Sequence, residues 1–265
     1  MSTTDSTARA LRRFARVSSD AQKELDACCA ALDYSQIDLD FADVVLGFLA
    51  RQYQLWSVVV VSPSAWTVPA SPLLLRALVD ATITLAWIKA NPDSASKYKV
   101  YSAGRLKLLA EHWRRIGSEQ AQSWCAAYAD HMEELASSEL WSGVLPVELS
   151  SWNGKDIRTM AEEADLKDAY DITYSPLSAD AHAEWMVLRT KYLRPCQEPA
   201  HRSHWLPAFE RPVMDTEIPA SATACFHICV RIGLGALGLS YSAAFWQRIE
   251  RRVASAANLL RQPQG

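Results

Sequence analysis

The chain has 265 residues, 49% of them hydrophobic and 22% charged, which excludes disordered and fibrous classes of protein. A chain of this length buries a full hydrophobic core, so a mini-protein held together by disulfides is excluded as well. The net charge of −3 provides no overall positive field, which argues against a general nucleic-acid-binding protein.

The first 36 residues are predicted to form an N-terminal helical arm, with four arginines at helical spacing between residues 9 and 16. They lack the apolar segment of a secretory signal. The most apolar stretch, 55–75, contains three prolines and four serines, whereas a membrane span needs about 20 largely unbroken apolar residues. We therefore expect a soluble, cytoplasmic protein with no membrane partner.

A long amphipathic helix is predicted from Asp40 to Val60, where apolar residues recur with the helical period. Asp40 and Asp43 lie in its first turn, where negative charge suits the positive end of the helix dipole. The three prolines of the segment 62–72 end this helix and predict a surface loop.

The next predicted helix starts with Ser71 as N-cap and Pro72 in the first turn, and it closes at Asn91. It is apolar on nearly every side, which is typical of a helix in the middle of a bundle. Its few polar residues therefore need an explanation.

Helical periodicity continues through the rest of the chain. Ser94 is the predicted cap of a helix that ends at Gly117. Its inward stripe would be Tyr98, Tyr101, Arg105, Leu108, Leu109, His112 and Ile116. The segment 137–154 is predicted to be an irregular insertion. Further helices are predicted over 118–135, 157–164, 166–172, 175–192 and 221–260, the last as one long helix or two broken ones.

These elements predict an all-α protein, a single-domain multi-helix bundle with a central buried helix and long irregular loops. The predicted parts are the arm 1–36, a core 41–192, a proline-rich loop 193–219 and C-terminal helices 220–262. Strand-like runs at 58–61 and 228–232 lie inside longer helical periodicity, so no strand is assigned to them.

Gly233, Gly235 and Gly238 match the G-x-G-x-x-G pattern of dinucleotide-binding proteins. Only 27 residues follow Gly238, too few for the crossover helix, second strand and acidic residue of that fold. These glycines are predicted instead to let a helix approach a neighbour closely or to break it in two.

The six cysteines show no C-x-x-C pair, and most are predicted to be small core residues. The single candidate for a metal cluster is Cys196 with His201 and His204, in a loop interrupted by prolines. We expect neither a metal nor another cofactor.

A set of polar residues at helical spacing is the main candidate for a functional site. Arg76 and Asp80 are four residues apart in the apolar central helix, where they can form an ion pair, with Thr84 one turn further. Burying such a pair is costly unless further hydrogen bonds or a ligand complete it. Three more residues, Tyr98, Tyr101 and Arg105, share one face of the next helix.

Ser178 and His182 repeat the four-residue spacing on a later helix. A hydroxyl and an imidazole on one inward face can bind a phosphate or a carboxylate, or supply a general base. Each set can equally be internal packing, with every polar group satisfied by its neighbours.

Together with the segment YDITYSPLSADAH, these residues resemble a bacterial family of unknown function, domain of unknown function 5677, over roughly 41–192. The matching positions are Arg76, Asp80, Tyr174, Ser178 and His182, with Asp80 in place of the family's glutamate. The resemblance implies an all-helical fold and no settled activity. Some helical families of similar size, the HEPN group, are ribonucleases of defence or toxin systems. Their arginine–histidine motif is not assigned here, because prolines interrupt its nearest match, 194–201.

Two hypotheses about function follow. The first is a hydrolase or nuclease-like effector, of defence or toxin type, acting on a phosphate or another anionic small molecule, or on RNA. Asp80, Ser178 and His182 would be catalytic. The residues predicted to bind substrate are Arg76, Tyr98, Tyr101, Arg105 and Tyr174.

The second hypothesis is a non-catalytic interaction or regulatory protein in which the polar cluster is structural. Tryptophans in predicted loops, Trp66, Trp141, Trp152 and Trp205, would then anchor a partner or a homodimer interface. Whether the protein is an enzyme stays open at this point.

Overall fold

Helices make up almost all of the regular structure in this computed structural model, which describes residues 3–120, 123–138, 151–198, 201, 204–210 and 212–261. The predicted all-α fold class is confirmed. The long helices are α1 (Thr3–Ala30), α2 (Leu39–Val61), α3 (Ser71–Ala90), α4 (Ser94–Gln120), α5 (Ser123–Ser138), α10 (Ile218–Ala236) and α11 (Ala243–Arg261). The short ones are α6 (Ile157–Glu163), α7 (Lys167–Ala169), α8 (Ser175–Ala181) and α9 (Trp185–Lys191). Helical turns at Tyr34–Gln36, Pro63–Trp66 and Tyr170–Tyr174 link some of them.

The main hydrophobic core lies where α2, α3 and α10 pack against one another. On the outside of this group, α1 lies against α2 and α11. Short elements between Ile157 and Ala181 cover the other side of α3. One continuous cluster of buried side chains joins all of these parts.

The central position predicted for α3 is confirmed, since every residue of 81–88 is buried. The predicted start is wrong by one residue. The N-cap is Ala70, which makes no side-chain capping bond, and Ser71 is buried inside the helix. Pro72 stands in the first turn and Asn91 is the C-cap, as predicted.

The start of α2 also differs slightly from the prediction. Its N-cap is Asp38, whose carboxylate accepts a hydrogen bond from the backbone N–H of Phe41. Asp40 and Asp43 instead bind the ammonium of Lys99 at 2.9 and 3.0 Å, which ties the start of α2 to α4. A hydrogen bond from the hydroxyl of Ser96, followed by the one from Lys99, lowers the pKa of Asp40.

The second half of α4 departs from the predicted inward stripe. The helix continues through Gly117 to Gln120, and Arg105, Leu109 and His112 are exposed. This half packs mainly on α5, around a separate small cluster of Ala110, Ala129 and Met132. A helix hairpin with so small a core leaves most of its sequence facing solvent.

The single helix predicted over 175–192 is two helices. α8 ends at Ala181, His182 is its C-cap, and Ala183 adopts a positive φ of 50° before α9 begins at Trp185. A non-glycine residue with positive φ cannot continue a right-handed helix, so the side chains on either side of Ala183 do not share one face.

The proline-rich segment predicted as a loop contains a short antiparallel hairpin. Strand β1 (Leu193–Pro195) pairs with β2 (Trp205–Pro207), with Pro195 opposite Trp205. The guanidinium of Arg189, on α9, stacks over the Trp205 ring at 4.6 Å.

The glycine pattern near the C-terminus serves helix packing, as predicted. The 221–260 region is two helices, and Gly238, with a φ of 67°, lies in the break between α10 and α11. Gly233 faces α2, and a β-carbon there would lie 2.7 Å from Cδ2 of Leu49. Gly233 and Gly235 lie inside α10 rather than in a turn between a strand and a helix, which is not the setting of a dinucleotide-binding motif.

Two core helices, α2 and α10, are long and apolar enough to cross a membrane, with mean hydropathies of 1.5 and 1.3. This is weak evidence, because core helices of soluble proteins pass the same test. About half of each apolar window (44% and 50%) is buried inside the fold. A soluble, cytoplasmic protein stays a prediction.

Candidate functional site

A cleft of about 910 Å³ opens between α2, α3, the first turns of α4 and the segment that leads into α6. It has the size of a small-molecule site. Its lining is a mixture of aromatic, charged and small residues. They are Phe48, Arg51, Ala77, Asp80, Ala81, Thr84, Tyr98, Tyr101, Ser102, Ser151, Trp152, Gly154, Lys155, Asp156, Ile157, Met160 and Tyr174.

Aromatic rings form one wall of the cleft. The ring of Tyr98 lies 5.6 Å from that of Phe48 and meets the ring of Trp152 edge to face at 5.0 Å. Trp152 in turn meets Trp87 edge to face at 5.3 Å. Such a wall offers apolar faces and polarised edges to a planar group.

The loop that carries Trp152 is held by its own hydrogen bonds. The hydroxyl of Ser151 donates to the backbone carbonyl of Lys155 at 2.9 Å, and the backbone N–H of Lys155 donates to the amide oxygen of Asn153 at 2.9 Å. Gly154 supplies the positive φ, 72°, that this turn requires. Asp156 then caps α6 by accepting from the backbone N–H of Thr159.

Two of the four charged groups of the cleft, Arg51 and Asp80, have no oppositely charged partner among the described residues and do not cap a helix. Arg51 donates only to neutral acceptors, the side-chain oxygen of Gln52 and the carbonyl of Ala77, both at 3.4 Å. The carboxylate of Asp80 makes no hydrogen bond or ion pair in the described part of the chain. Lys155, by contrast, forms an ion pair with Glu163.

Burial in the cleft wall shifts the proton affinity of two groups. It raises the pKa of Asp80 above its ordinary value, although the positive charges of Arg76 and Arg51 oppose the shift. Burial also raises the pKa of Tyr98, with Asp80 adding to the shift and Arg51 opposing it. A half-buried carboxyl that is costly to ionise and has no partner marks a functional-site candidate.

The structure brings together four of the predicted site residues. Asp80, Tyr98, Tyr101 and Tyr174 all line the cleft. Thr84 lines it too, but its hydroxyl is used within α3, where it donates to the carbonyl of Asp80 at 3.0 Å.

Arg76 takes a different place from the one predicted. It forms no ion pair with Asp80; its guanidinium donates to the hydroxyl of Tyr174 at 3.2 Å and lies 5.2 Å from that ring's centre. Its Nε is buried and has no hydrogen-bond partner among the residues that the structure describes. Arg76 does not line the cleft but contacts Tyr174, which does.

Arg105, Ser178 and His182 lie outside the cleft lining. Arg105 is on the exposed side of α4, and His182 is exposed at the C-cap of α8. The four-residue spacing of Ser178 and His182 brings together only backbone groups, since the N–H of His182 donates to the carbonyl of Ser178 at 3.0 Å. The predicted hydroxyl–imidazole pair is therefore not formed.

Several cleft residues were missed by the sequence reasoning, Arg51, Trp152 and Lys155 above all. Arg51 had a usable signal, because it is the single basic residue of the apolar helix α2, as Arg76 is early in α3. Trp152 and Lys155 had none, because an irregular segment carries no periodicity that says which way its side chains face.

The loop tryptophans proposed as partner anchors have other surroundings. Trp66 is fully buried and donates to the carbonyl of Val59 at 2.6 Å, and Trp152 belongs to the cleft. Trp205 lies under Arg189, and Trp141 is outside the described residues. A homodimer stays a prediction without support from these side chains.

A family model, that of the family of unknown function DUF5677, matches residues 42–201, more than half of the chain. The chain belongs to this family. Every residue of the DUF5677 cleft lies inside the matched segment. Searches of curated proteins and of solved structures found no match.

Replacing Asp80 by asparagine is expected to stabilise this DUF5677 protein at pH 7. Because its pKa is raised in the folded state, the folded protein binds this proton more readily than the unfolded chain does. Asp80 therefore contributes most to the free energy of unfolding of the wild type at a pH below the pKa of its carboxyl in the unfolded chain, about 3.9. This contribution falls as the pH rises through the pKa of the same carboxyl in the folded protein. Urea unfolding of both proteins should show a gain for Asp80→Asn that is largest near pH 7 and shrinks toward pH 4.

Asp93→Asn is the matched control, because Asp93 is exposed in the turn between α3 and α4 and its replacement should change little. A lower stability of Asp80→Asn at pH 7 would contradict the prediction and show that the carboxylate is held by structural partners.

Proposed function

We propose that this protein binds a small organic anion with a planar ring in the cleft, and that Asp80 exchanges a proton with it. The observation that carries the proposal is the carboxyl of Asp80, which is half-buried, costly to ionise, without a partner in the described chain and open to a cleft of about 910 Å³. A half-buried carboxyl without a partner lowers the free energy of unfolding, so the stability of the fold does not explain its presence.

Arg51 is the group that supports an anionic ligand. Within the described part of the chain its guanidinium has two long hydrogen bonds, both to neutral oxygens, so charge-assisted bonds to a phosphate or carboxylate remain available to it. The aromatic wall of Phe48, Tyr98 and Trp152 supports a planar ring beside that anion.

The hydrolase or nuclease-like activity stays a prediction, with its roles reassigned. Asp80 is now the proton-transfer group in place of His182, and the hydroxyls of Tyr98 and Tyr101 are neutral donors in the same cleft. A raised pKa suits a carboxyl to take up and release a proton closer to neutral pH.

A small molecule is favoured over RNA as the partner. Basic residues cluster at 112–115 and 248–252, where Arg252 pairs with Asp20 at 2.5 Å and Arg114 pairs with Asp130 and Glu133. None of these arginines lines the cleft. Their charge is partly neutralised, which weakens the backbone attraction that RNA binding needs.

Native mass spectrometry of the purified chain is the first experiment, because a co-purifying molecule would name the ligand class. Adenosine monophosphate and phenyl phosphate are then titrated by calorimetry. We expect Arg51→Gln to weaken binding of both by about 10- to 100-fold, the value of a charge-assisted hydrogen bond. Asp80→Asn should bind both anions at least as tightly as the wild type does while the protein stays folded, because it removes a negative charge from the cleft.

The control is Arg231→Gln, because Arg231 is exposed on α10 and outside the cleft. Equal binding by Arg51→Gln and wild type, or equal affinity for adenosine and its monophosphate, would contradict the proposal. Unfolding of both cleft variants would support the alternative, a non-catalytic interaction protein in which the cluster is structural.

A further inference from the structure

A second cluster of side chains, which can bind a metal ion, lies in the β1–β2 hairpin, outside the cleft. One ligand atom from each of Cys196, His201 and His204 lies within 4.8 Å of the others. The Sγ of Cys196 is 3.8 Å from Nδ1 of His201, and the two imidazole rings are 5.5 Å apart. The sequence reasoning dismissed a metal here because the loop is interrupted by prolines.

The hairpin holds these residues in place through its backbone. Cys196 follows β1 directly and His204 precedes β2, and the N–H of Cys196 donates to the carbonyl of His204 at 3.0 Å. The N–H of His204 donates in turn to the carbonyl of His201 at 3.2 Å. Pro195 is the last residue of strand β1 and is paired with Trp205, so this proline is part of the hairpin and does not interrupt it.

The donor set identifies the kind of ion. A thiolate with two imidazoles suits zinc and other borderline or soft metals, whereas magnesium and calcium require oxygen ligands. Zinc–sulfur and zinc–nitrogen bonds of about 2.3 and 2.05 Å at a tetrahedral angle place sulfur and nitrogen about 3.6 Å apart. The 3.8 Å between Cys196 and His201 is close to that spacing.

We propose that Cys196, His201 and His204 bind one Zn²⁺ ion, with a fourth position open to water or to a further ligand. The side chain of Cys196 is half-buried and those of His201 and His204 are exposed, so solvent can reach the ion. A site with three protein ligands and an open position is the arrangement found in catalytic rather than structural zinc sites.

The test uses the full chain without an affinity tag, freed of metal by dialysis against a chelator and kept reduced. Titration with Co²⁺ should give a sulfur-to-cobalt charge-transfer band in the near ultraviolet and visible bands of tetrahedral intensity, both lost when Zn²⁺ is added. Calorimetry with Zn²⁺ should give one ion per chain. Removing one ligand by Cys196→Ala or His204→Ala should weaken binding by at least about 100-fold.

The matched controls are Cys29→Ala, a half-buried cysteine of α1, and His182→Ala, an exposed histidine, both of which should bind zinc as wild type does. A charge-transfer band that survives in Cys196→Ala would overturn the proposal, as would failure of the reduced wild-type chain to bind Co²⁺. Because the cleft shares none of these residues, its ligand binding should be unchanged in Cys196→Ala.

Discussion

Replacing Trp56 by alanine is expected to lower the free energy of unfolding by about 3–5 kcal/mol. Trp56 is fully buried in α2 and stacks on Phe226 of α10, with ring centres 4.6 Å apart and planes within 15° of parallel. Its indole N–H donates to the hydroxyl of Thr223 at 2.9 Å. The variant loses the ring contacts and the hydrogen bond, and it leaves a large cavity between the two helices. Urea unfolding followed by circular dichroism measures the loss.

Trp56→Phe separates the ring from its N–H group. It keeps an aromatic ring against Phe226, and the hydroxyl of Thr223 still donates to the carbonyl of Pro219 at 2.7 Å. We expect a smaller cost, about 1–2 kcal/mol, from the lost hydrogen bond and the smaller ring. A loss below about 1 kcal/mol for Trp56→Ala would mean that α2 and α10 do not form the core contact described above.

Replacing Gly233 by alanine is expected to lower the free energy of unfolding by about 1–3 kcal/mol. The new β-carbon would lie 2.7 Å from Cδ2 and 2.9 Å from Cγ of Leu49, whose side chain is itself buried. To relieve the clash, either the side chain of Leu49 shifts within the cavity that it lines, or α2 and α10 move apart, and both changes disturb the packing of the core. The higher helix propensity of alanine offsets only part of this cost.

Gly235→Ala is the matched control on the same helix. The nearest atom to a β-carbon there is the Lys89 ammonium at 3.6 Å, an ordinary contact. Without a clash, the change should be neutral or stabilise the protein by up to about 1 kcal/mol. We therefore expect the free energy of unfolding to fall in Gly233→Ala but not in Gly235→Ala. A change of the same sign in both variants would show that the close approach at Gly233 does not exist.

The Gly233 contact also bears on the cleft. Leu49 lies between Phe48 and Arg51 on α2, and both of these residues line the cleft. If α2 shifts to accommodate a larger residue at Gly233, the aromatic wall and the guanidinium shift with it. Gly233→Ala should therefore weaken the binding of phenyl phosphate, and Gly235→Ala should not.

The two proposed sites differ in their relation to the DUF5677 segment. The cleft lies wholly inside residues 42–201, whereas the zinc cluster straddles the end of that segment, with His204 beyond it. The cleft is therefore the proposal to test first in other members of the family. The proposed zinc ligands belong to the β1–β2 hairpin of this chain.

Periodicity was enough to predict the all-α class, the central helix α3 and the break near Gly238, because these depend on local propensity and on which faces are apolar. It was also enough to single out Asp80, Tyr98 and Tyr101, since a polar group on an apolar face is visible in the sequence. Periodicity did not predict the position of His182, because helix α8 ends at Ala181 and the positive φ of Ala183 changes the direction of the chain.

Only the tertiary structure decided what those groups meet. The four-residue spacing predicted an ion pair between Arg76 and Asp80. In the structure Arg76 donates to Tyr174 instead, and Asp80 and Arg51 both line the cleft. The residues 196–204 had no periodicity at all, and the β1–β2 pairing brought a thiol and two imidazoles together. Residue types and helical faces are local properties that a sequence carries, whereas distances between side chains on different elements depend on how those elements pack.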